Sequence, residues 1–198
     1  MCGLSSSLYE AAIAAIDAAN AADPTIVVVR GTSRPLALVH GLLASEWVAR
    51  LHGDADDTLL LAARAHHLRR WELPRAQYEP GKAGYLRWKR DQRQRHARDV
   101  GELLAAVGYE SVTIERVQAL VRRDRLATDA GSQAVEDAAC LVFIETQLAD
   151  VSTVLEHDHL LDVIRKTANK MSPAALVAVS DIQLGEQEQA LLATALGS

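Results

Sequence analysis

Ser132-Gln133-Ala134-Val135-Glu136-Asp137-Ala138-Ala139-Cys140-Leu141-Val142-Phe143-Ile144-Glu145-Thr146-Gln147-Leu148-Ala149 is the stretch that decides the fold. It is apolar nearly all round when wound at 3.6 residues per turn, so it reads as the buried central helix of an all-helical protein. Composition agrees. The chain is 49 % hydrophobic but only 4 % aromatic, with alanine and leucine filling the apolar positions. Those residues favour helices, whereas strands draw on β-branched and aromatic side chains.

Working outward, Leu4 to Ala22 carries Leu8, Ala12, Ile13 and Ile16 at helical spacing and stops at Asp23-Pro24. Thr25 to Arg30 (TIVVVR) has the composition of one short strand. A lone strand builds no sheet, so the segment reads as an extended connector. Pro35 opens a helix to about Leu51, and His52-Gly53-Asp54 makes a turn. Asp54, Asp56 and Asp57 favour the start of a third helix through Leu59, Leu60, Ala63 and His67, ending before Pro74. Trp71 to Ala83 reads as an ordered loop, followed by a basic helix to Val107 that Gly108 caps. Ser111 caps the next helix, whose inner face is Ile114, Val117, Leu120 and Val121. Helices at Asp158–Lys170 and Pro173–Ser180 and a segment from Glu186 complete the chain. The expected architecture is a single-domain, compact, all-α helical bundle over residues 1–198, with a core of about 5–180 and a C-terminal helical segment at 185–198.

Cys2 and Cys140 are too far apart in sequence for a redox or metal pair, which fits a reducing compartment. Met1-Cys2-Gly3-Leu4 lacks a signal peptide's basic flank and apolar core, and no stretch is apolar enough to cross a bilayer. The expectation is a cytoplasmic protein with no membrane partner. Glycine-rich phosphate loops, nucleophile elbows and paired-cysteine motifs are absent from the sequence.

The net charge of −5 is segregated. Arg64 to Arg98 holds 11 Lys and Arg against Glu72, Glu79 and Asp91, a local +8 that leaves −13 for the rest. Such a field attracts phosphate-bearing anions, although arginine runs also serve as solvated, ion-paired faces. Polar groups that the pattern turns inward are the site candidates. His67 follows Leu60 and Ala63 on one stripe; His40 precedes Leu43, Ala44 and Trp47; His96 precedes Val100 and Leu103; Asp137 shares a face with Ala134, Leu141 and Ile144. His66 is an uncertain neighbour of this set.

Converging imidazoles and a carboxylate make a ligand set for a divalent metal (Mn, Fe, Zn or Mg), here His67, His96, Asp137, His40 and His66. The same residues admit a purely structural arrangement, with Asp137 paired to Arg70 and each histidine bonded to a backbone carbonyl. Arg69, Arg70, Arg75 and Arg87 are candidate anion-binding residues, with Arg70 and Glu72 in candidate catalytic roles. Glu72 serves equally as an ion-pair partner of a nearby arginine.

His67-Leu68-Arg69-Arg70-Trp71-Glu72-Leu73-Pro74-Arg75 and Gly84-Tyr85-Leu86-Arg87-Trp88 resemble the core signature of the domain of unknown function 4202 family. Glu136 to Glu145 and Ile164-Arg165-Lys166-Thr167 resemble its later blocks, so the likeness runs from about Ala11 to Met171. That resemblance implies a helical fold and no particular activity. The order and intervals of His40, His67, His96 and Asp137 more faintly resemble the HD-domain superfamily, helical proteins that bind divalent metals through histidine and aspartate. Leu68 stands where that pattern carries the aspartate of its His-Asp pair, and His66 is the neighbour available to replace it.

Three functions follow as expectations. One is a metal-dependent phosphohydrolase acting on a nucleotide or other small phosphate ester. The second is a non-catalytic anion- or RNA-binding module using the basic segment 64–98, with Trp71, Tyr78, Tyr85 and Trp88 placed to stack on bases. The third is an HD-like iron oxygenase. The sequence leaves the oligomeric state open.

Overall fold

The computed structural model describes residues 2–197, with side chains from residue 7 onward. The chain is all-α apart from one small hairpin. It forms two compact units, Met1–Val135 and Glu136–Ser198, with one long helix running from the first into the second.

The first unit begins with α1 (Cys2–Asn20) and a hairpin of β1 (Ile26–Val29) and β2 (Thr32–Pro35). Then come α2 (Leu36–Leu51), α3 (Asp57–Arg64), α4 (Gly81–Val107), α5 (Ser111–Arg122) and the start of α6 (Ala130–Val154). Its core joins Ala12 and Ile16 of α1, Leu61 and Ala62 of α3, Val100 and Leu104 of α4, and Val117, Leu120 and Val121 of α5. These are the apolar stripes of amphipathic helices turned onto one another. α4 and α5 pack closely because Gly101 leaves room for the Gln118 side chain.

Within TIVVVR, Ile26–Val29 is a true strand, not an extended connector. It pairs antiparallel with Thr32–Pro35, in the register Val27 to Arg34 and Val29 to Thr32. Arg30 and Gly31 make the two-residue turn, both at positive φ (50° and 75°), as hairpins of this kind require. Asp23, read from the sequence as a helix stop, also anchors the hairpin. Its carboxylate accepts the amides of Thr25 (2.9 Å) and Ala37 (3.0 Å), serving the start of α2 as well.

Asp56 caps α3 as expected, its carboxylate accepting the Leu59 amide at 2.8 Å. The helix ends at Arg64, however, and does not continue towards Pro74. The expected loop at 71–83 contains two short 3-10 turns, Arg70–Glu72 and Arg75–Gln77, and α4 already starts at Gly81. Gly108 closes α4 at φ 106°, its amide bonding back to the Leu104 and Ala105 carbonyls. Glu110, not Ser111, occupies the cap position of α5.

The second unit holds the remainder of α6 with α7 (His157–Ala168), α8 (Pro173–Ala178) and α9 (Glu186–Leu196). Leu160, Leu161 and Ile164 of α7 are buried, as are Leu191, Leu192 and Ala195 of α9. Ser172 caps α8 through its hydroxyl, which accepts the Ala175 amide, and Pro173 follows at the first helical position. Among the described residues no helix is long and apolar enough to cross a membrane.

Candidate functional site: a cluster of four imidazoles

Beyond Arg64 the chain leaves the helix and tightens through a run of turns. Leu68 donates its amide to the Ala65 carbonyl, and Arg70 donates to His67. Arg69 sits in the left-handed region at φ 50°, its amide held by Asn20 Oδ1 of α1 at 3.0 Å. Successive residues on a helix point about 100° apart. Here the turn lets His66 and His67 stack, with ring centroids 4.0 Å apart. Leu68 is fully buried in the apolar core. The position where a ligand aspartate would stand is therefore a packing position.

His40 enters the same pocket from α2 and His96 from α4. The His67 ring lies 5.1 Å from that of His40 and 6.0 Å from that of His96. His40 Nδ1 and His67 Nδ1 are 2.9 Å apart. His66 Nδ1 is 2.9 Å from the Ala63 carbonyl, and His96 Nδ1 is 2.7 Å from that of Leu68. A carbonyl only accepts, so in both rings Nδ1 carries the proton and donates it. A neutral ring then has a bare lone pair at Nε2. The Nε2 atoms of His66 and His96 are buried and have no hydrogen-bond partner among the described residues.

Burial keeps all four rings neutral. The pKa values of His40 and His96 fall to about 3, chiefly through burial and then through the nearby Arg70 guanidinium. Those of His66 and His67 lie well below the usual imidazole value, again through burial first. For His66 the next cause is the Arg123 guanidinium and then the His40 ring; for His67 it is the His66 ring and then the Arg70 guanidinium. Neutral imidazole is the form that ligates metals. Among the described residues, no three His, Cys, Asp or Glu side chains stand where they could together hold a metal ion.

Arg70 walls the pocket. Its guanidinium stacks over Trp88 at 4.7 Å, and burial lowers its pKa. No carboxylate among the described residues pairs with it. The loop that carries it is clamped from α4 by donors four residues apart, hence on one helix face. Trp88 Nε1 donates to the Leu73 carbonyl (2.9 Å), Gln92 Nε2 to those of Arg70 and Leu73 (both 2.9 Å), and His96 Nδ1 to that of Leu68.

The structure thus brings together four of the sequence-derived candidates, His40, His66, His67 and His96, with Arg70 beside them. The other candidates make contacts of their own. Glu72 is ion-paired with Arg95, which also pairs with Asp99 of α4. Arg75 donates to the backbone carbonyls of Tyr78 and Glu79, so its guanidinium braces the loop. Arg69 contributes its amide to the Asn20 contact, and Arg87 lies exposed on α4. Asp137 belongs to the second unit, where it is buried and accepts the Ser172 amide at 2.8 Å. Sequence reasoning missed Gln92, Asn20 and the buried Arg123. The spacing of Trp88, Gln92 and His96 was the one signal that pointed to the clamp.

These features define an all-α protein with a cluster of neutral imidazoles beside a guanidinium that no carboxylate among the described residues pairs. The chain belongs to the DUF4202 family, a domain of unknown function whose model matches residues 10–192. No curated protein and no solved structure matches the chain.

Proposed function

We propose that the pocket holds a divalent transition metal on its imidazoles and acts as a hydrolase on a small phosphate ester, whose phosphate is received by Arg70. The observation that carries this reading is the pair of bare, buried Nε2 atoms on His66 and His96. Each ring is oriented by donating Nδ1–H to a backbone carbonyl, the outer-shell bond that metal-ligating histidines use to present their other nitrogen. A buried acceptor left without a donor costs roughly 1–3 kcal/mol, a cost that a ligand in the pocket would remove. The 2.9 Å between His40 Nδ1 and His67 Nδ1 suits a neighbouring pair of ligands. Two nitrogens at right angles on bonds of about 2.1 Å lie about 3 Å apart. Nitrogen donors favour Zn or Fe over Mn or Mg.

Bound there, the metal would supply Lewis acidity and an activated water. The protein's own part is to exclude solvent and to hold the anion. Arg70 offers a planar fork of donors to phosphate oxygens. Its stacking on Trp88 leaves the guanidinium edge available, and no carboxylate competes for it. The Gln92 and Trp88 clamp fixes the loop that carries it.

Metal analysis of the purified protein and a panel of phosphate monoesters test the proposal. Bound metal near one equivalent is expected, with turnover lost in His67→Ala and with metal content lowered in His96→Gln. Arg70→Met is expected to retain the metal and to raise KM at least tenfold. Metal-free protein that gains no turnover from added Mn, Fe or Zn would refute it.

A further inference from the structure

A second cleft lies in the first unit, on the outer face of α2. Its volume is about 580 Å3, within the range of small-molecule sites. The hairpin forms one wall. In β1, Val27 and Val29 face inward while Ile26 and Val28 face solvent. Directly paired residues of antiparallel strands share a face. The Val27–Arg34 register therefore turns Arg34 to the cleft side, where it lines the opening and stays exposed. The floor is aliphatic, made by Leu42 and Leu43 of α2 and Leu60 of α3.

The charges around this cleft do not balance. Arg64 is tied to Asp17 by two bonds of 2.5 and 2.6 Å. Arg30 is tied to Glu46 by two bonds of 3.0 and 3.1 Å. Each cation has its own carboxylate. Arg34 has none among the described residues, so the rim carries one uncompensated positive charge above an apolar floor. A single negative group joined to an aliphatic body complements that arrangement.

We propose that the cleft binds a soluble acyl carboxylate, with its tail on Leu42, Leu43 and Leu60 and its head on Arg34. The site is separate from the imidazole pocket and does not depend on any activity there. Rim residues can be altered without touching the core, which makes the idea testable on a folded protein. Dodecanoate binding would be measured by calorimetry on the full chain, with dodecanol and dodecyltrimethylammonium as uncharged and cationic counterparts.

Dodecanoate should bind at one equivalent and at least tenfold tighter than either counterpart. Arg34→Glu should weaken it tenfold or more, while Arg34→Lys should weaken it less. Ala49→Trp, a change at an exposed position of the lining, should abolish it by filling the cleft. Thermal denaturation of each variant confirms that it is folded. Equal affinity for dodecanol, or dodecanoate binding indifferent to both Arg34→Glu and Ala49→Trp, would overturn the assignment. So would a concentration-dependent dimer broken by Ala49→Trp with no dodecanoate binding, which would give the cleft to a second copy of the chain.

Discussion

Gln92 shows how much rests on one side chain. It is buried, and its amide nitrogen serves two carbonyls of the Arg70 loop while its Oε1 finds no donor. Gln92→Leu removes two hydrogen bonds, each contributing about 1 kcal/mol net, and also removes the unsatisfied acceptor. The Leu73 carbonyl keeps its bond from Trp88, so the expected loss by urea denaturation is modest, about 1 kcal/mol. Gln92→Glu should cost clearly more, because a buried carboxylate would then face two carbonyls with no donor between them. A Glu variant as stable as the Leu variant would show that the clamp does not bear on the loop. Residue chemistry was only partly legible beforehand. His40 and His96 could be assigned inward from helical spacing, and both are buried. His66 and His67 lie beyond the end of α3 at Arg64, where the periodicity had carried the helix on through His67, so a turn and not a helical stripe places them. Leu68 is buried by that same turn.

At the scale of elements, close approach is set by small residues. A Cβ on Gly41 would lie 2.6 Å from the Arg64 carbonyl, where the end of α3 crosses α2. Alanine gains about 1 kcal/mol over glycine in a helix, yet overpacking against backbone costs about 1–3 kcal/mol. Crowding should win because a backbone carbonyl cannot swing aside. Gly41→Ala is thus expected to lower stability by about 1–2 kcal/mol, displacing His40 and the α3 end together. Gly53 has nothing within 4 Å of its virtual Cβ, and Gly53→Ala should be neutral or slightly stabilising. Paired thermal melts check the contrast, and similar values for both would contradict it. Element starts and stops were readable where local chemistry marks them, as at Asp56, Gly108 and Pro173, though not at Ser111, whose cap position belongs to Glu110. The hairpin was not readable, because its second strand, Thr32-Ser33-Arg34-Pro35, has no strand-like composition. It pairs because the Arg30-Gly31 turn folds it back and Asp23 ties its base, neither of which a propensity scale registers.

For the whole molecule, four neutral histidines, three of them buried and His67 partly so, make folding a proton-linked event. In the unfolded chain each imidazole titrates near 6.5. In the folded chain His40 and His96 titrate at about 3, and His66 and His67 also well below 6.5, because burial disfavours their charged forms. Between those values the unfolded state binds more protons, so stability rises with pH across that window. The contribution is fully present above about pH 6.5 and is lost as pH falls towards the folded values. Each histidine adds a slope of up to about 1.4 kcal/mol per pH unit. The expected outcome is a protein of nearly constant stability from pH 7 to 8 that weakens steeply below pH 6. Urea midpoints at half-unit steps from pH 8 to pH 4 measure it. His66→Gln should flatten the slope by about one proton's worth, since it removes one of the four linked groups. A slope unchanged in His66→Gln would mean that the clustered imidazoles are not what couples folding to pH.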